Sequence, residues 1–156
     1  MLRPLLAIVH LLALGIGLGA VWARARALGE RPLDRGSLRR VFAADGWWGF
    51  AAVLWIGTGL WRLLAGTEKA TSYYLANEAF RAKMGFFAAI LLLELWPALT
   101  LVRWRRRAAR SGASWSAESS TAGRLRAISY LEAVLVVAMV CAAALMARGY
   151  GTRAPQ

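Results

Sequence analysis

Four apolar runs, each about as long as a bilayer is thick, leave this chain few folds to choose from. They cover residues 4–23, 47–64, 84–102 and 128–147, and arginine, lysine or a carboxylate bounds each of them. A helix rises 1.5 Å per residue, so ~20 apolar residues cross ~30 Å of hydrocarbon. Inside lipid each segment must satisfy its own backbone polar groups, which four such runs do as four transmembrane helices. The connecting stretches of 23, 19 and 25 residues are too short to fold alone, and 59% of the 156 residues are hydrophobic. The sequence therefore predicts one all-α domain over residues 1–156, an integral membrane four-helix bundle. The first run resembles a secretory leader, but its length and its exit onto Arg24 and Arg26 predict a retained span.

Charge sets the expected orientation. A formal net charge of +12 would suggest nucleic acid in a soluble chain, but here the cations are sorted by loop. The first and third connections carry thirteen arginines, among them Arg24, Arg26, Arg39, Arg40, Arg105 and Arg126, whereas seven cations lie at the other end. The positive-inside rule then places both termini in the periplasm of a bacterial inner membrane, with the multi-pass chain contacting lipid and no nucleic acid.

Gly29 to Pro32 breaks the chain, and Asp34 is placed to cap a short amphipathic helix running through Phe42 on the cytoplasmic surface. Thr67 to Phe80 reads as a turn and an interfacial helix with Tyr73 and Tyr74 at headgroup level, and the serine-rich 111–121 stretch as a linker. Most of Trp47, Trp48, Trp55, Trp61, Trp96 and Trp104 lie near span ends, as an aromatic belt requires. The order span, arginine-rich loop, span occurs twice, so the first and third helices run in one direction. Cys141, the only cysteine, reads as a small buried hydrophobe, and Met139 and Met146 read as core. Gly15-Ile-Gly17-Leu-Gly19-Ala20 matches a dinucleotide-binding turn by letters alone, because no strand precedes it. Its Gly15 and Gly19 form a GxxxG pair, expected to pack closely against another helix.

Ionisable residues within spans are the functional clues, since charge in lipid is costly and faces a bundle interior, a partner or a ligand path. His10, Ala13, Gly17 and Arg24 fall on one stripe of the first helix, leaving a slot beside small side chains. Lys83, Phe87, Ile90 and Glu94 form the matching stripe of the third helix. With the stripes facing, His10 meets Lys83 near the outer surface and Glu94 meets Arg24 or Arg26 towards the inside. Glu132 is expected to pair with Arg126 or a loop-one arginine. An imidazole is a common axial ligand of haem iron, and rim cations suit tetrapyrrole propionates. The same residues also read as structural: an interhelical hydrogen bond from His10, a snorkelling Lys83 and a paired Glu94.

His10-Leu-Leu-Ala-Leu-Gly, Phe42-Ala-Ala-Asp45-Gly-Trp-Trp-Gly, Trp55-Ile-Gly-Thr-Gly-Leu-Trp-Arg62 and Phe80-Arg-Ala-Lys83-Met-Gly resemble an uncharacterised family of small bacterial predicted membrane proteins over Leu5 to Arg107. More distantly the chain resembles the four-helix, oxygen-independent protoporphyrinogen oxidase of the HemJ type and the CopD copper-resistance membrane domain. That oxidase family pairs a first-helix histidine with a lysine opening the third helix and an arginine at the first-helix exit. His10, Lys83 and Arg24 or Arg26 occupy these places. Glu94 stands near where the family carries a further histidine, and Phe80 replaces a tryptophan. The resemblance implies a haem- or porphyrin-binding bundle with His10, Lys83 and Arg24 or Arg26 at its site. Taken with the stripes, the candidate contacts of haem b or a porphyrin are His10, Ala13, Gly17, Arg24, Arg26 and Lys83, with His10 on the iron, and the candidate catalytic groups are Lys83 and Glu94.

Three function classes stand open: a tetrapyrrole-binding redox protein passing electrons to a quinone or respiratory chain, a non-catalytic subunit of a homo-oligomer or larger membrane complex, and a small transporter or metal-handling protein. His10 being the sole histidine weakens the last. The charge asymmetry makes a direct prediction. In a Cys141→Ala background, Leu2→Cys and Ala154→Cys should both react with a membrane-impermeant maleimide in intact spheroplasts, and labelling only after lysis would reverse the orientation.

Overall fold

The computed structural model describes residues 2–65, 77–111 and 115–150, which form four helices and no strand among them. They are α1 (Leu2–Leu28), α2 (Arg35–Leu64), α3 (Glu78–Ser111) and α4 (Ser119–Ala147). Going round the bundle, α1 packs closely on α2 and α4, α4 packs on α3, and α2 and α3 touch only sparsely. The ring is thus sequential and nearly open along one seam. Arg3–Leu28, Glu78–Arg110 and Ser119–Ala147 are long and apolar enough to cross a membrane. The tryptophans, glycines and Arg62 of α2 lower its mean hydropathy, yet it packs alongside α1 as the fourth member of the bundle.

The surface is built for lipid. Leu12 is 60% exposed and Leu92 70%, and Leu5, Ile8, Leu11, Leu95 and Leu99 also face outward. With lipid as apolar as leucine, packing and polar contacts rather than water exclusion must hold such helices together. One buried cluster joins Ala20, Val21, Trp48, Ile90, Ala133, Val136 and Met139 at mid-height. A second joins Leu28, Leu38, Val41, Leu101, Trp104 and Leu125 at the arginine-rich end.

The ends of the helices explain where the expected elements changed. Asp34 caps as expected, accepting from the Ser37 backbone N–H at 2.7 Å, but it opens the whole of α2. No separate surface helix ends at Phe42, because nothing between Val41 and Trp47 breaks the chain, and Val41, Ala44 and Trp48 already bury one continuous face. The Ser37 backbone N–H and then its hydroxyl hold the Asp34 carboxyl below the usual range, and hydrogen bonds from Arg40 and Ser37 do the same for Glu30. Both depressed groups favour the folded loop above the ordinary carboxylate range, and this support is lost as pH falls through their folded values. At the opposite end Asn77 caps α3 by accepting from the Phe80 N–H at 3.1 Å and donates to the Tyr150 carbonyl at 3.3 Å. Tyr73 and Tyr74 lie outside the described residues, and Phe80 is a buried residue of α3.

Two small-residue expectations are corrected. Cys141 is exposed, not buried, because the α4 periodicity turns Met139 and Ala142 inward and leaves Cys141 between them on the outer face. Gly15 and Gly19 meet nothing within 4 Å of an added Cβ, so GxxxG does not pack inside this chain. Gly17, on the other face, is the tight one: its Cβ would lie 3.3 Å from the Trp48 ring and 3.4 Å from Ala51. Gly17→Leu should therefore destabilise the detergent-solubilised protein by about 1–3 kcal/mol through overpacking. Gly15→Leu should leave the thermal midpoint within error. Equal melting shifts for the two variants would refute the α1–α2 packing.

Candidate functional site

A single guanidinium joins all four helices. Arg24 of α1 is fully buried, and its five N–H groups all donate. Nε binds Ser129 Oγ of α4 at 2.9 Å. Nη1 reaches Asp45 Oδ1 of α2 at 3.0 Å and Glu94 Oε1 of α3 at 2.9 Å. Nη2 reaches Glu94 Oε2 at 2.8 Å and Glu132 Oε2 of α4 at 2.6 Å. The planar fork suits a bidentate carboxylate, which Glu94 supplies, and a lysine has too few donors to replace it. Around this hub, Asp45 Oδ2 accepts from Arg105 at 2.8 Å, Arg105 also caps the Phe42 carbonyl at 2.7 Å, and the Ser129 hydroxyl donates to the Leu125 carbonyl at 2.9 Å.

The residues expected near Arg24 are distributed unevenly. Glu94 and Glu132 both bond Arg24 itself, whereas Arg126 lies over the Tyr130 ring at 5.6 Å. Arg26 is exposed and borders an open groove between α1 and α2, away from the seam. With every donor engaged inside the protein, Arg24 is a structural hub, and a propionate there would have to displace a buried carboxylate. Asp45, Arg105 and Ser129 are hub partners that span periodicity alone does not mark. Asp45 sits at a span edge inside Phe42-Ala-Ala-Asp45-Gly-Trp-Trp-Gly, and Ser129 lies three residues before Glu132 on the same face of α4.

The second site lies along the seam. Two adjoining cavities of about 140 Å³ and 60 Å³ sit among α1, α2 and α3, the smaller also bordered by Val136 and Met139 of α4. His10, Gly59, Phe80, Lys83 and Phe87 line the larger; Ala13, Gly17, Trp48, Ile90 and Glu94 line the smaller. Trp55 borders both and meets Phe87 edge-on at 5.5 Å, partitioning them. The structure thus brings His10 and Lys83 to one cavity, and Ala13, Gly17 and Glu94 to its neighbour.

His10 is held against α2. Its Nδ1 lies 2.9 Å from Thr58 Oγ1, and that hydroxyl lies 2.7 Å from the Leu54 carbonyl. With the hydroxyl proton on the Leu54 carbonyl, Thr58 accepts from Nδ1–H, the tautomer that carries its lone pair on Nε2. Trp55 stacks on the imidazole at 5.4 Å and 25°, and an added Cβ at Gly59 would fall 3.1 Å from Cε1. A side chain at position 59 would therefore press on the ring, which would have to give by a few tenths of an ångström. The Nδ1–Cε1 edge therefore faces α2, and the opposite edge faces away from it. Trp55 Nε1–H is buried and has no hydrogen-bond partner among the described residues. An orphaned donor of this kind is rare in a finished core and marks a place where an acceptor belongs. No group of three or more metal-ligating side chains occurs among the described residues.

Fold and site together define a small integral membrane protein of the four-helix type with a polar hub and a lipid-facing seam. The chain belongs to a family described as predicted membrane protein (DUF2214), whose model matches residues 2–151. No curated protein and no solved structure matches it.

Breaking the hub should be severe. Arg24→Ala should cost about 3–5 kcal/mol, the usual penalty for stripping a buried charge of its partner. Arg24→Lys should rescue only part of it, and Arg26→Ala should be neutral, all read as thermal midpoints in one detergent. A mild Arg24→Ala phenotype would show that the hub is not structural.

Proposed function

We propose that this chain is a membrane-embedded redox protein that binds b-type haem or a related tetrapyrrole in the seam between α2 and α3. The observation that carries the reading is the 2.9 Å contact of His10 Nδ1 with Thr58 Oγ1: with Thr58 taking the Nδ1 proton, Nε2 is the donor atom that iron requires. Metal-binding histidines characteristically have their other nitrogen fixed in this way. Lys83, at the rim of the same cavity, suits a carboxylate side chain of the macrocycle. Trp55 Nε1–H offers a further donor, and Trp55, Phe80 and Phe87 supply aromatic faces for a flat apolar ring.

The size of the cavity says how a ligand enters. About 140 Å³ is below the ~300–1,000 Å³ of ordinary ligand pockets. A tetrapyrrole therefore has to part α2 from α3, the neighbouring helices that touch least, and it would arrive from lipid. Ala13 and Gly17 keep the wall of the inner cavity low, and Glu94 lines that cavity as its acid–base group. When bound, haem iron would supply one-electron chemistry, with a quinone or respiratory chain as the natural acceptor in this membrane. In a bacterial host the charge asymmetry puts the seam's His10 end on the periplasmic side of the inner membrane.

A second reading, a non-catalytic subunit of a homo-oligomer or larger complex, is favoured by one observation. Gly15 and Gly19 face outward with open space before them, as a partner helix would need. The absorption spectrum separates the two. Protein purified from haem-supplied cells should show a Soret band. His10→Ala should abolish it and leave the fold intact, because one membrane hydrogen bond is worth only ~0.6 kcal/mol on average. Lys83→Ala should weaken binding without removing it. Colourless wild-type protein, or a spectrum unchanged by His10→Ala, would leave the subunit reading standing.

A further inference from the structure

The charges around Arg24 do not balance. Every element contributes: Arg24 from α1, Asp45 from α2, Glu94 and Arg105 from α3, and Glu132 with Ser129 from α4. Three carboxylates thus face two guanidiniums, and Arg105 is 41% exposed at the rim while Glu132 is fully buried. Glu94 Oε2 and Glu132 Oε2 bond the same nitrogen, Arg24 Nη2, at 2.8 and 2.6 Å, so two like charges would converge on one NH₂ group. Glu132 Oε1 has no hydrogen-bond partner among the described residues although it is buried. A carboxylate oxygen left bare in a membrane interior is among the costliest arrangements a protein can hold.

From this geometry we propose that the Glu94–Glu132 pair is a proton-binding site, with the proton resident on Glu132. One proton brings the cluster to neutrality and removes the bare anionic oxygen. It also ends the repulsion at Arg24 Nη2. Glu132 is the holder because it receives one bond from Arg24, whereas Glu94 receives two and is 20% exposed. A proton needs no coordination shell, and no group of three or more His, Cys, Asp or Glu side chains placed to hold a metal ion occurs among the described residues. Glu94 also borders the inner cavity of the seam, so a proton passed from Glu132 to Glu94 reaches the edge of that cavity. The site would give the bundle an internal proton donor and acceptor. It stands whether or not a tetrapyrrole occupies the seam.

Infrared spectroscopy of the purified full-length protein in nanodiscs, labelled with ¹³C-glutamate, tests the assignment. At neutral pH the wild type should show a protonated carboxyl C=O band that carries the isotope shift and exchanges slowly in D₂O. Glu132→Gln should lose that band while keeping the wild-type melting behaviour, since glutamine is nearly isosteric with the neutral acid. Absence of an isotope-shifted carboxylic-acid band in the wild type overturns the proposal, and that result does not depend on any variant folding. A band that survives Glu132→Gln, or vanishes only in Glu94→Gln, overturns it equally.

Discussion

Everything in this bundle is arranged around one buried cation. Arg24 binds an acceptor on each of the other three helices, and its five donors leave the fork no alternative pose. In water such a network would add little beyond what apolar burial already supplies. In lipid it carries more weight, because apolar side chains gain nothing from leaving one hydrocarbon for another. A charge at that depth is tolerated only when it is paired, so the hub selects the register of all four helices at once. The apolar clusters above and below it, around Val21 and around Leu28, then pack in the geometry the hub dictates.

A bundle pinned at one level can afford to be loose at another. Elsewhere in the ring α2 and α3 touch only sparsely, and their contacts include the edge of Trp55 on Phe87. His10, Thr58, Trp55 and Gly59 form a compact assembly there, held by a stacked ring and one hydrogen bond. The polar features of the molecule thus divide by task. Among the described residues the hub leaves one oxygen of Glu132 without a hydrogen bond, and the seam leaves the Trp55 N–H without one, beside His10 and Lys83.

The helical fold could be read from four apolar runs because span length and backbone satisfaction leave few other solutions. Helix bounds were less legible, since α2 and α3 continue well past their apolar cores, and only packing residues such as Val41 and Trp104 reveal it. The 3.6-residue stripe placed His10 and Arg24 on one face and Lys83 and Glu94 on another, and these are the residues found along the seam and at the hub. Asp45 and Arg105 carry no sequence signal as buried partners, because both stand in arginine-rich connections, where charge is ordinarily solvated. Gly17 and Gly19 look alike in sequence, and only the position of Trp48 tells them apart.

The most direct test of this account is nuclear magnetic resonance of the Arg24 guanidinium in protein labelled with ¹⁵N-arginine, assigned by its loss in Arg24→Lys. A fork bonded on all five hydrogens should give five distinct, exchange-protected proton resonances that persist at neutral pH. A single averaged and rapidly exchanging guanidinium signal would mean that Arg24 turns freely, and the hub on which the four helices depend would not exist.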